Sequence, residues 1–250
     1  MKALILAAGY ATRLYPLTID CPKGLLPIGE KTILDYLMAE IATIDEIDEV
    51  HLVSNHRFHA HFERWAEGAR RRYAPKRLFI WDDGTTSDAD KLGAIGDMQY
   101  VIERAKIDDD LLVAVSDNLF NFSLRRFIDD FRAHGRDTIL AAHLADINLL
   151  RRFAVAALDG ERRVLELVEK PQEPMTDIGV YALYLYRRDT LPLIRRYLDE
   201  KNSPDSPGHL PEWLHKRREV RAYLFEGECV DIGTPESYEE IQRRVAEGTF

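Results

Sequence analysis

Ala3 to Ala8 is an unbroken apolar run, Ala-Leu-Ile-Leu-Ala-Ala, and it stops at Gly9. A half-exposed strand would alternate apolar and polar residues, so a run without alternation reads as a strand buried on both faces. Such a strand needs helices over it, which steers the chain towards an α/β architecture from its first residues. At Gly9 the backbone can approach a ligand closely. The loop beyond carries Arg13, a planar fork suited to bidentate phosphate contact, and Lys23, a mobile point charge. Pro16, Pro22 and Pro27 stiffen that loop, so the stretch reads as a prearranged grip for polyphosphate.

Strands and helices then alternate. Thr32 to Ile41 is expected as a helix, with Thr32 and Asp35 as a capping-box pair and Ile33, Leu34, Leu37, Met38 and Ile41 as its apolar stripe. Val50–Ser54 reads as a strand, followed by a helical face of Phe58, Phe62 and Trp65, and Leu78–Trp81 as the next strand. A helix runs from Leu92 towards Arg104, Leu111–Val115 is a strand, and Ser123 is placed to cap a helix bearing Leu124, Phe127, Ile128 and Phe131. These are successive βαβ units.

From Asp137 the pattern changes. Thr138–Leu144, Phe153–Leu158, Arg163–Val168 and Gly179–Tyr186 read as strands with few helices between them, so an antiparallel portion is expected in a mixed sheet. Helices near Asp189–Tyr197 and Leu210–Lys216 precede strands at Val220–Leu224 and Cys229–Asp231. Thr234, with Pro235 at the first helical position, starts a last helix through Val245. Lys201–Gly208 is a flexible-loop candidate rather than a domain boundary.

The 250 residues, 46% hydrophobic, can bury a full core as one large α/β domain. A net charge of −9 argues against a general polyanion binder, so nucleic acid is not expected as a partner, whereas a small anionic substrate needs only local cations. There is no apolar run of about 18 residues and no basic segment before an apolar stretch at the N-terminus. Membrane insertion is therefore not expected, and a cytoplasmic protein is. Cys21 and Cys229 form no Cys-x-x-Cys pair and suggest neither zinc nor a disulfide framework. His56, His59 and His61 read as a solvated helix face rather than a metal cluster, because His61 does not share the face of the other two.

The N-terminal stretch resembles the signature of the sugar-nucleotide pyrophosphorylases, the nucleoside triphosphate:sugar-1-phosphate nucleotidyltransferases. Gly9, Thr12, Arg13, Leu14, Pro16, Thr18, Pro22, Lys23 and Pro27 fall in place, with Ala11 where a second glycine is usual. An alanine there costs more if the position needs positive φ. Asp117, after the fourth strand, matches the family's strand-end acid, and Asp231-Ile232-Gly233-Thr234-Pro235 with Tyr238 resembles its Asp-hydrophobic-Gly-Thr-Pro-x-x-Tyr. Glu169-Lys170-Pro171 matches Glu-Lys-Pro, and Asp177-Ile178-Gly179-Val180-Tyr181 resembles Asn-x-Gly-hydrophobic-Tyr with Asp177 in place of Asn. Gly84-Thr85-Thr86 is separated from Gly93-Ala94-Ile95 by an acidic stretch, where many relatives have a compact turn.

That resemblance implies a three-layer α/β/α Rossmann-like sandwich with a mixed, mainly parallel central sheet; many relatives append a left-handed β-helix, and none is expected here because the sequence ends soon after the last helix. It implies a nucleoside triphosphate and a phosphorylated small-molecule acceptor as partners, and a homo-oligomer is compatible with it. Arg13 and Lys23 would balance the triphosphate, with Ala8, Gly9, Ala11, Thr12, Asp83 and Gly93 near the nucleotide. Lys170 would align the acceptor's phosphate, beside Glu169, Asp177 and Gly179, while Asp117 and Asp231 would hold Mg2+. Three alternatives stay open at this level. A metal-dependent glycosyltransferase would be expected to show Asp-x-Asp where this chain has Asp117-Asn118-Leu119. A cytidylyltransferase acting on phosphocholine or a related phospho-alcohol would share the chemistry, and a catalytically silent nucleotide sensor would share the fold.

Overall fold

The computed structural model describes residues 1–250. In chain order it begins with β1 (Lys2–Leu6), the short hairpin of β2 (Pro27–Ile28) and β3 (Lys31–Thr32), α1 (Ile33–Ala42), β4 (Glu49–Ser54), α2 (His56–Arg72) and β5 (Arg77–Asp82). Next come α3 (Ala94–Ala105), β6 (Leu111–Val115), β7 (Asn118–Phe120), α4 (Arg125–His134), β8 (Asp137–His143) and α5 (Ile147–Leu150). The chain continues through β9 (Ala154–Leu158), β10 (Val164–Glu169), β11 (Ile178–Tyr186), α6 (Leu191–Asp199) and α7 (His209–Leu214), and finishes with β12 (Val220–Leu224), β13 (Cys229–Asp231) and α8 (Pro235–Ala246). It divides into two compact units: Met1–Lys91 with Ala114–Leu124 and Gly227–Phe250, and Leu92–Val113 with Arg125–Glu226.

In the first unit β1 pairs with β4 and β4 with β5, both in parallel. The apolar run is fully covered, with Ala3, Leu4 and Ile5 at 1% exposure or less. Its end is fixed by Ser116, whose N–H donates to the Leu6 carbonyl over 3.0 Å. Helix α1 starts at the expected capping box, with Thr32 Oγ1 accepting from the Asp35 N–H and the Asp35 carboxylate accepting from the Thr32 N–H. Asp35, 4% exposed, also accepts from Trp65 Nε1, Arg72 and the Tyr73 hydroxyl, joining α1 to α2. Burial alone would push this carboxyl up, but the hydrogen bonds from Thr32 and Tyr73 and the Arg72 charge hold it below its ordinary value of 3.8.

In the second unit β8, β9, β10 and β11 pair antiparallel, as the change of pattern after Asp137 led us to expect. Strand β12 adds to β8 in parallel, so pairing is mixed even here. The segment after α6, expected to be flexible, is tied down: the Pro204 carbonyl accepts from the Ile95 N–H over 2.9 Å, and the Ser203 carbonyl from the Tyr197 hydroxyl over 2.6 Å. Gly93 must be glycine here, since φ is +78° and a Cβ would lie 2.7 Å from the Pro204 oxygen. No helix is long and apolar enough to cross a membrane.

Candidate active site

The loop after β1 is shaped by what it buries. Leu14, on a single 3-10 turn (Thr12–Leu14), enters an apolar cluster with Leu26, Ile28, Leu119, Ile232 and Tyr238, while its neighbour Arg13 stays exposed. Ala11 has φ 48° and ψ 39°, the left-handed region that a second glycine would adopt without strain. Its conformation is stabilised by Thr18, which is fully buried and donates its hydroxyl to the Ala11 carbonyl over 2.8 Å. Gly9 is exposed, and a Cβ there would meet nothing within 4 Å, so the fold itself does not require glycine at this position.

Two residues whose roles the sequence did not disclose hold this loop. Asn55, fully buried, accepts from the Phe58 N–H as the cap of α2 and donates its amide to the Ala8 carbonyl over 2.9 Å. Arg57, in the first turn of α2, donates to the Ile19 carbonyl. Tyr10 is buried with its hydroxyl 3.3 Å from Thr85 Oγ1, and Thr85 donates its N–H and hydroxyl to Asp83 Oδ1. Asp83 thus orders the turn after β5 that closes over Tyr10.

Lys23 lies on a second 3-10 turn (Lys23–Leu25), pressed against the chain that follows β6 because its neighbour is Gly24. A Cβ at Gly24 would come 3.0 Å from the Ser116 Cβ. That glycine was legible as a small residue between Lys23 and Leu25, but not as a contact. Asp117 follows Ser116 directly, and β13 pairs antiparallel with β7 so that Asp231 sits opposite Asn118. Two acids far apart in sequence are thereby brought to one place. The Lys23 ammonium lies between them, donating to Asp117 Oδ2 over 2.6 Å and lying 3.6 Å from Asp231 Oδ1. The side chains of Lys23, Asp117 and Asp231 are 13, 27 and 28% exposed, so their charges interact more strongly than on an open surface.

Chain reversal at Asp231 depends on the sequence that follows it. Thr234 caps α8 by accepting from the Ser237 N–H, Ser237 Oγ accepts in return from the Thr234 and Gly233 N–H groups, and Pro235 fits the first helical turn. The strand therefore stops at Asp231 and the helix begins four residues later, with Asp231 at the edge of the turn. Burial, with the Asp231 and Asp117 charges nearby, pushes the Cys229 thiol well above its ordinary value, which makes it a packing residue.

A hard divalent cation takes a few carboxylate oxygens and completes its shell with water and phosphate. Asp117 Oδ1 is buried without a hydrogen-bond partner, an acceptor oxygen left over beside a second carboxylate. The donor set fits Mg2+.

The remaining expected residues lie in the second unit. Lys170 adopts φ 49° and donates to Ser206 Oγ over 2.9 Å, with Glu169 Oε1 at 3.4 Å. The Glu169 side chain is only 7% exposed and fills the space left by Gly208, where a Cβ would lie 1.9 Å from Glu169 Oε2. Asp177 Oδ2 lies 2.9 Å from His143 Nδ1, and both line a cavity of about 400 Å³ with Leu144, Ile147, Leu150 and Thr176. Gly179 is packed under Leu144, whose Cδ1 would be 2.3 Å from a Cβ there.

The model of the nucleotidyl transferase family matches residues 2–248. A Sulfolobus acidocaldarius protein named for mannose-1-phosphate guanyltransferase activity is 24% identical over 241 residues, 96% of this chain and 62% of that protein. The UTP–glucose-1-phosphate uridylyltransferase of Haloferax volcanii is 24% identical over 252 residues, with 100% of this chain and 98% of the relative covered. The chain therefore spans less than two thirds of the first of these and nearly all of the second. A solved UDP-glucose pyrophosphorylase complexed with UDP-glucose superposes with a TM-score of 0.81 at 18% identity, covering 99% of this chain and 98% of the other. That likeness gives the fold: α/β with a mixed sheet, as expected from the sequence.

Proposed function

This chain belongs to the nucleotidyl transferase family, and from that premise we propose that it transfers a nucleoside monophosphate from a nucleoside triphosphate to a sugar 1-phosphate, releasing pyrophosphate and giving a nucleoside-diphosphate sugar. The observation that carries this reading is the cluster of Lys23 with Asp117 and Asp231 beside a loop whose Gly9 is bare for no steric reason of the fold. The sugar phosphate as acceptor is supported by the names of the relatives.

Transfer of this kind needs positioning and charge neutralisation more than covalent help. In our reading the backbone of Ala8, Gly9, Ala11 and Thr12 lies along the nucleotide, with Asp83 and Gly93 shaping its surroundings. Arg13, exposed and held by no carboxylate, is available to the triphosphate, and Lys23 balances charge on the phosphates and the departing pyrophosphate. Lys170 aligns the acceptor's phosphate oxygen for attack on the α-phosphorus, and Glu169, Asp177 and Gly179 contact the rest of the acceptor. Asp117 and Asp231 would hold Mg2+, which when bound supplies charge neutralisation at the α-phosphate. Residues 1–250 act as one catalytic domain, in the cytoplasm where both substrates are dissolved.

The test is pyrophosphate release from a panel of nucleoside triphosphates crossed with hexose 1-phosphates and phospho-alcohols. Release with a hexose 1-phosphate is expected. Release only with phosphocholine or a similar acceptor would move the acceptor class, and nucleotide binding without release from any pair would leave a sensor.

A further inference from the structure

The ammonium of Lys23 stands where two carboxylates converge, 2.6 Å from one and 3.6 Å from the other. Those carboxylates are the pair that fits a divalent cation. An ammonium and a divalent ion cannot both sit between the same two carboxylates, because each is attracted by the same oxygens and they repel one another. Lys23 is also held in place from behind: its turn is closed by the Leu26 N–H donating to the Lys23 carbonyl over 3.1 Å, and Gly24 allows that turn to lie against Ser116. The chain thus delivers this cation to the acids by construction.

We infer that Lys23 is an internal counter-cation that competes with the divalent metal for Asp117 and Asp231, so that the metal binds well only when a polyanion draws the ammonium away. The physical case has two parts. With Lys23 in place the cluster carries a net single negative charge, and without it a double one, which a divalent ion binds more tightly. The side chain is also long and unbranched, so its head can leave the carboxylates for a nearby phosphate while its backbone stays fixed. Triphosphate and metal then enter together, since the first removes the obstacle to the second. The part played by the triphosphate rests on the proposed function; the competition between Lys23 and the metal does not.

The experiment uses the full chain with no nucleotide and Mn2+ as the probe, free Mn2+ being counted by electron paramagnetic resonance. Lys23→Met should bind Mn2+ about tenfold more tightly than the wild type, a modest share of the interaction between charges a few ångströms apart near a protein surface. Lys23→Arg, which keeps the charge, should stay near the wild type, and the gain of Lys23→Met should vanish when Asp117→Asn is added. Lys23→Gln serves as a second neutral variant if Lys23→Met loses its fold by circular dichroism. Equal, weaker or undetectable binding in the neutral variants, or a gain that survives Asp117→Asn, overturns the inference. Pyrophosphate release by the wild type is measured separately, so failure of the competition is distinguishable from failure of the proposed reaction.

Discussion

The hydroxyl of Tyr238 donates to the carbonyl of Pro27 over 2.7 Å, joining the helix that follows Asp231 to the end of the loop that carries Lys23. Gln242, one turn further along α8, donates to the same carbonyl over 3.0 Å. Tyr238→Phe removes one of two donors, so a loss of about 1 kcal/mol is expected rather than the full penalty of an orphaned carbonyl. Urea unfolding measures it; a loss below a few tenths of a kcal/mol would mean that Gln242 alone satisfies Pro27.

Asp117 and Asp231 are neighbours through the β7–β13 ladder and share Lys23. Asn at either position keeps the shape and removes a charge, so Mg2+-dependent pyrophosphate release should fall by about a hundredfold in each single variant, the scale of losing one transition-state contact. On the proposal that both acids hold one ion, the double variant should be scarcely worse than the worse single. Losses that multiply in full would argue for two separate roles.

Gly9 and Ala11 should respond in opposite senses. Ala11→Gly relieves a left-handed alanine and should raise stability by about 0.5–1 kcal/mol after the greater freedom of glycine in the unfolded chain is counted. Gly9→Ala meets no neighbour and should change stability by less than about 0.5 kcal/mol, while weakening nucleotide binding measured by calorimetry. Unchanged affinity in Gly9→Ala would mean that the nucleotide does not approach this backbone.

Lys170→Ala should raise the acceptor KM and leave nucleotide affinity, measured without acceptor, nearly unchanged. Gly208→Ala should act in the same direction, raising the acceptor KM about tenfold, because its methyl group would occupy the place of Glu169 Oε2 and displace that side chain. A collapse of nucleotide binding in Lys170→Ala would show that Lys23 and Lys170 have been assigned to the wrong substrates.

Asp35→Asn removes a buried charge that accepts from Thr32, Trp65, Arg72 and Tyr73, and should cost about 3 kcal/mol at pH 7. The native carboxyl sits below its ordinary value, so its ionised form contributes stability in full above the unfolded value of 3.8, and that contribution disappears as the pH falls through the lower folded value. The gap between wild type and Asp35→Asn should therefore be constant from pH 7 to about pH 5 and narrow in acid. Unfolding curves at a series of pH values test this; a gap that widens on acidification has the wrong sign.

The sequence by itself determined what is local. The apolar run of β1, the capping box of Thr32 with Asp35, and Thr234 with Pro235 at the start of α8 were all readable, and the strands Leu111–Val115, Val220–Leu224 and Cys229–Asp231 begin and end where the pattern put them. Period, caps and turn residues act over a few positions, so they are visible in one dimension. The short strand Asn118–Phe120 was not, because three residues carry no period and its only partner is β13, far along the chain. That Asp231 comes beside Asp117 was implied by the family resemblance and by no local pattern, and tertiary structure alone decided that Lys23 lies between them, that Gly24 rests on Ser116 and that Asn55 holds Ala8. A residue pattern specifies which face of an element is buried, but not which distant element buries it, and that choice is made only when the whole core closes.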